Sequence, residues 1–159
     1  MTNNDILRRM RYTLDQNDAG LARLFALGGQ EATLDEIDAW TRREEDAGYE
    51  PMTDFALATF LNGLITAKRG VREGKSPPTE RELDNNLILR KLRIAFELTT
   101  DDFVNLVKRA GKSVSKHEIN AFFRRATQRQ YRNCNDQYLR WILSGLQARE
   151  RGESVRTGD

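Results

Sequence analysis

Between Lys108 and Arg132 the chain carries Lys108, Arg109, Lys112, Lys116, Arg124, Arg125, Arg129 and Arg132, with Glu118 as the only acid. Phe122, Phe123 and Tyr131 are interleaved with these cations. Lys and Arg donate to phosphates and guanine edges, and Asn suits adenine. The chemistry open to such a stretch is recognition of a polyanion rather than bond making. If Ile119 and Phe122 face a core, then Lys116, His117, Asn120 and Arg124 lie outward on the same helix. Lys108, Arg109, Lys112, Arg125, Arg129 and Arg132 would add phosphate contacts that carry no sequence information. Nucleic acid is therefore the expected partner, DNA as much as RNA, because nothing here selects a groove. With six of these cations engaged on duplex DNA, log affinity should fall against log salt with a slope of about −5.

Other chemistries find little support. General acid–base catalysis wants a group whose pKa lies near the working pH. The one histidine, His117, is flanked by Lys116 and Glu118 on what reads as a polar helix face. The one cysteine, Cys134, stands between Asn133 and Asn135, seventeen positions away, and one His with one Cys cannot complete a zinc site. Gly28-Gly29 does not cradle phosphate: no strand precedes it and no Gly-Lys-(Ser/Thr) follows. No enzyme, metal, cofactor or small-molecule substrate is expected. The start of the chain, Met1-Thr2-Asn3-Asn4-Asp5, has neither the basic nor the apolar part of a secretory signal. No apolar run approaches a membrane span, and a lone cysteine fits a reducing compartment, so a cytoplasmic protein is expected.

The elements that must position the cations are written twice. Residues 3–70 align on 85–152 without a gap at an offset of 82, with 21 identities in 68 positions. Ser115-Lys116-His117-Glu118-Ile119-Asn120-Ala121-Phe122 answers Thr33-Leu34-Asp35-Glu36-Ile37-Asp38-Ala39-Trp40. Each opens with a hydroxyl residue and a Glu three places on, which is a capping box, and each is followed by an Arg pair. A first helix starts after Asn3-Asn4 or Asn85-Asn86, read as N-caps. It buries Ile6, Leu7, Met10 and Leu14, or Ile88, Leu89, Leu92 and Phe96. On its surface Arg11 with Asp15, and Arg93 with Glu97, stand four apart and are expected to pair. A second helix spans about 18–28 and 101–110, and the capped helix follows as the third. The fourth begins near Thr53 or Asn135 and ends at Arg69-Gly70 or Arg151-Gly152. Gly63 and Gly145 fall inside it, so a crossing helix is expected there. The fold class is all-α: two tandem repeats of a four-helix unit, each with a helix-turn-helix-like pair formed by its second and third helices. The connection between those helices is longer than the usual three or four residues. The expected organisation is 1–70, a Gly/Pro-containing linker 71–84, a second repeat 85–152 and a flexible tail 153–159.

The formal net charge of +2 hides a division between the copies. Residues 3–70 hold 8 Lys/Arg against 12 Asp/Glu, a net of −4, whereas residues 85–152 hold 14 against 6, a net of +8. In the first copy the outward set on the third helix is Leu34, Asp35, Asp38 and Arg42, whose carboxylates would repel phosphate. Complementary halves also support an alternative in which the chain is an interaction module or a homodimer, assembling acidic face to basic face. The segment from Arg42 to Glu50 is acidic enough to imitate phosphate toward such a partner.

With Asn-Asn-x-Ile-Leu-Arg-x-x-Arg, Glu-Ile-x-Ala-(Trp/Phe) and Leu-x-Gly-Leu in both halves, the chain resembles the YehS-like family, a group of small bacterial proteins of unknown function. The resemblance runs over about residues 1–152. It implies a tandem-duplicated bacterial cytoplasmic protein and brings no activity, cofactor or site residues with it.

Overall fold

The computed structural model describes residues 1–71, 73–74 and 76–153. Among them are eight α-helices and no strand. Contacts divide the chain into two compact units, Met1–Leu83 and Asp84–Asp159. The first contains α1 (Asn3–Thr13), α2 (Asp18–Leu27), α3 (Leu34–Thr41) and α4 (Asp54–Arg69). The second contains α5 (Asn85–Phe96), α6 (Thr100–Arg109), α7 (Lys116–Phe122) and α8 (Asp136–Arg151). Arg72, Lys75 and residues 154–159 lie outside the described residues, and with them most of the segment expected as a tail.

Local chemistry starts and stops these helices. Both expected capping boxes are present: Thr33 with Glu36 opens α3, and Ser115 with Glu118 opens α7. Each hydroxyl accepts from the amide three residues on, at 3.1 Å in both cases. Thr53 and Asn135 cap α4 and α8 as the sequence indicated, and Gly70 and Gly152 end them. The expectation for the first helix is corrected. Thr2 caps α1 and Asp84 caps α5, so the Asn pairs sit inside the first turn instead of before it. An Asn in the first turn still has its side chain free for other work, and the structure gives it some. The Arg pairs are displaced too: α3 ends at Thr41 and α7 at Phe122, so the arginines belong to the loops that follow.

In the first unit Leu7, Met10, Leu21, Phe25, Ile37, Leu57, Phe60 and Leu61 are fully buried. In the second the corresponding interior is Leu89, Leu92, Phe103, Val107, Ile119, Leu139, Ile142 and Leu143. The mid-helix glycines are explained by close crossing. A Cβ on Gly63 would lie 1.7 Å from the Leu24 carbonyl oxygen of α2, and one on Gly145 would lie 2.0 Å from that of Leu106 in α6. Backbone meets backbone there, and only hydrogen fits between them.

Arg11 and Arg93 do not pair along their helices as expected. Asp15 and Glu97 lie past the ends of α1 and α5, each turned into the left-handed region at φ 52°, so the four-residue helical spacing no longer holds between them and the arginines. Arg11 reaches Asp18 instead, at 3.1 Å, while the Arg93 guanidinium stacks 4.5 Å from the centroid of the Phe123 ring.

Candidate nucleic-acid interface

The α7–α8 loop, which carries Arg124, Arg125, Arg129 and Arg132, half of the predicted cations, is held by asparagines. In the second unit the Asn86 side chain, 6 % exposed, donates to the Phe122 carbonyl at 3.0 Å and the Arg132 carbonyl at 2.8 Å. Its oxygen accepts from the Cys134 amide at 2.9 Å. Asn85 donates to the Cys134 carbonyl at 3.0 Å and to Asp136 Oδ1 at 2.8 Å. Both ends of the α7–α8 loop are thereby tied to α5. The first unit repeats every bond. Asn4 donates to the Trp40 and Glu50 carbonyls and accepts from Met52, and Asn3 donates to the Met52 carbonyl and to Asp54. Buried loop carbonyls and amides need partners, and one primary amide satisfies three of them at once.

Inside the loops the backbone bonds also correspond. The amide of Arg43 donates to Asp46 Oδ2 and that of Glu50 to the Ala39 carbonyl. Their counterparts run from Arg125 to Gln128 Oε1 and from Arg132 to the Ala121 carbonyl. A shared skeleton thus presents Arg43, Glu44, Glu45, Asp46 and Glu50 in one unit and Arg125, Arg129 and Arg132 in the other.

Of the ten residues singled out by sequence, Lys108, Arg109, Lys112, Lys116, His117, Asn120, Arg125, Arg129 and Arg132 are exposed, and Arg124 is half-buried. Lys116 pairs with Asp101 at 2.9 Å, two exposed groups whose attraction water screens to a few tenths of a kcal/mol. Lys112 Nζ stands 5.8 Å from the centre of the Trp141 ring. Asn120 accepts from the Thr100 hydroxyl at 2.8 Å. The Nε of Arg124 is buried and has no acceptor among the described residues.

Titration marks the surroundings. Burial, and secondarily the charge of Asp136, pushes the Cys134 thiol up to about 12. It is a core group that stays protonated at neutral pH. Burial also raises Tyr131, helped by the charge of Asp84 and opposed by that of Arg90. The amide of Thr99 holds the Asp102 carboxyl below the ordinary range, and the Asn85 side chain does the same for Asp136.

Two residues outside the expected set bear on this loop: Asn86, which by sequence reads as a cap and in the fold ties the loop to α5, and Arg90, thirty-four positions before Arg124, whose charge acts on Tyr131. The signal available for both was their identity with Asn4 and Arg8 across the two copies. Among the described residues no helix is long and apolar enough to cross a membrane.

The model of the family described as "Protein of unknown function (DUF1456)" matches the chain twice, over residues 3–70 and 85–152. The chain is also similar to the uncharacterised protein YehS of Escherichia coli (strain K12), with 45 % identity over 153 residues covering 94 % of this chain and 97 % of the relative. No solved structure matches it significantly. Two matches in tandem and one relative aligned nearly end to end place this chain in the DUF1456 family.

Proposed function

We propose that this chain is a non-enzymatic nucleic-acid-binding protein that engages phosphate through α7 and the α7–α8 loop of its second unit. The observation that carries this reading is the divergence of two loops with one hydrogen-bonded skeleton. Where the first unit sets Glu44, Glu45, Asp46, Ala47 and Glu50, the second sets Ala126, Thr127, Gln128, Arg129 and Arg132 on the same frame, while the arginine at 43 and 125 is common to both. An exposed cationic surface retained on a rigid frame suits counterion displacement from a polyanion. The pairing of α6 and α7 is loosely helix-turn-helix-like, with the six residues 110–115 between them, and α7 turns Lys116, His117 and Asn120 to solvent. Its counterpart α3 turns Leu34, Asp35 and Asp38 outward, which would repel phosphate. We place the protein in the cytoplasm on the same grounds of composition.

The test is binding to mixed pools of DNA and RNA across a salt series, with wild type beside an Arg124→Glu, Arg125→Glu double variant. Affinity should fall steeply with salt, with a slope of about −5 if six phosphates of duplex DNA are engaged, and the variant should lose most of it. Wild-type binding that is absent at low salt, or that the variant matches, rejects the reading.

A second reading, an interaction or assembly module, has its own support on the first unit. Leu27 and Leu34 are 48 % and 56 % exposed where the second unit has Arg109 and Lys116. Light scattering against ionic strength separates the readings. Charge-driven assembly dissociates as salt rises, and assembly through those leucines strengthens.

A further inference from the structure

Three arginines recur at matching positions: Arg8, Arg11 and Arg42 in the first unit, and Arg90, Arg93 and Arg124 in the second. In the first unit each has a carboxylate. Asp5 pairs with Arg8, Asp18 with Arg11 at 3.1 Å, and Asp38 with Arg42 at 2.9 Å. In the second unit all three acids are gone, replaced by Leu87, Thr100 and Asn120. Arg93 compensates by stacking on Phe123. Arg90 and Arg124 do not compensate in that way.

Arg42 is anchored twice. Its Nε donates to Asp38 and its Nη1 to the Ala47 carbonyl at 2.8 Å. Arg124 has neither bond among the described residues, and its Nε lies buried without an acceptor. Asn120 stands where Asp38 would be, but its oxygen is taken by the Thr100 hydroxyl. The turn at Gly48, which has φ 85° beside Arg42, is not repeated either, since Gln130 is outside the left-handed region. A buried donor without an acceptor makes the resting position of Arg124 a poor one, so little is broken when it moves onto an anion. The repeat puts Arg90 beside it by correspondence with the first unit. Its counterpart Arg8 donates through Nη1 to the carbonyl of Arg42 at 2.7 Å, and the charge of Arg90 is felt at Tyr131 in the loop.

We infer that Arg90 and Arg124 form a two-arginine clamp for one phosphodiester phosphate, opened in the second unit by the loss of the carboxylates that close its counterpart in the first. The inference deepens the nucleic-acid reading and rests on it for the identity of the ligand. In the first unit Asp5 and Asp38 occupy by covalent attachment the role that phosphate plays in the second. A forked guanidinium pair suits the tetrahedral oxygens of a phosphate better than scattered lysines do.

The test restores the missing acids one at a time in the full chain. Leu87→Asp and Asn120→Asp each install the residue the first unit already carries at that position, so the backbone tolerates it. Ser113→Glu is the control: the same charge change at an exposed position, also copied from the first unit, where Glu31 stands, but outside the named cations and away from the arginines. Affinity for mixed-sequence oligonucleotides should drop about tenfold or more in the first two variants and less than about threefold in the control. In parallel, inorganic phosphate is titrated into the wild type while the arginine Nε–Hε resonances are followed by NMR. Saturable shifts are expected at Arg90 and Arg124 and not at Arg8 and Arg42. Equal losses for Asn120→Asp and Ser113→Glu, or phosphate shifts spread evenly over all arginines, would overturn the clamp and leave the broader reading intact. If the wild type binds neither DNA nor RNA, the broader reading falls, and the phosphate titration alone then decides whether the anion site exists.

Discussion

The loop after α3 and the loop after α7 are built by the same asparagines and carry opposite charge. In each, one buried Asn ties the end of a short helix, the end of the loop and the residue two further on to the first helix of its unit. What differs lies in the charge of the side chains carried on those shared bonds and in the backbone turn at Gly48, which Gln130 does not repeat. The acidic loop closes on itself, with Arg42 tied to Asp38 and to its own loop carbonyl. The basic loop leaves Arg124 without either partner among the described residues. A duplicated fold can therefore change what it attracts without changing how it is held, because surface charges cost little to swap while buried amide bonds cost much.

The largest effect is expected where the two loops are alike. Asn86→Ala removes three hydrogen bonds and strands buried loop groups, which should cost roughly 3–5 kcal/mol in chemical denaturation. Asn4→Ala should cost a similar amount in its own unit. The comparison then sharpens in a binding assay performed below the unfolding midpoint: Asn86→Ala should weaken oligonucleotide binding and Asn4→Ala should not. Next come the crossing glycines. Gly145→Ala drives a methyl into the Leu106 carbonyl and Gly63→Ala into that of Leu24, and each should lose about 3 kcal/mol of stability by thermal melting. A tolerated Gly145→Ala would show that α6 and α8 do not meet there.

A smaller effect is expected from pH. The carboxyls of Asp5, Asp102 and Asp136 are lowered in the folded chain. For Asp5 burial opposes ionisation, but the Thr2 amide and hydroxyl and the charge of Arg8 outweigh it. Lowered acids contribute stability that is present above their unfolded values and is lost as pH falls through the folded ones, so melting temperature should decline below about pH 4. Cys134 acts at the other end. Its value is raised, so its contribution is complete below the unfolded thiol value and is lost as pH climbs toward about 12. At neutral pH the folded protein should alkylate with iodoacetamide much more slowly than the denatured chain, a difference read by mass spectrometry. The smallest effect belongs to Asp38→Asn. It opens the first-unit pair, which is about half exposed, and should change stability by less than about 0.5 kcal/mol. A larger loss would mean that the acidic loop depends on its charges for its shape.

The repeat was plain in the sequence, and so were the capping boxes, the Gly-ended fourth helices and the apolar stripes. Each of these is a local or periodic signal, set by backbone bonding within a turn or by the side a residue faces. The outward positions of Lys116, His117 and Asn120 followed from the same periodicity. The partners of Arg11, Arg93 and Arg124 did not. Asp15 and Glu97 have the right spacing from Arg11 and Arg93, but the helix ends before it reaches them, and a left-handed residue turns each away.

What the amino-acid order determined by itself is the helical, duplicated design and the division of charge between its copies, since both are written in residue type and spacing. What the tertiary structure decided is the work of Asn4 and Asn86, which bind carbonyls thirty-six and forty-six residues away. It also decided which arginines find a carboxylate. Such pairings depend on where separate helices and loops converge in space, and no local pattern encodes that.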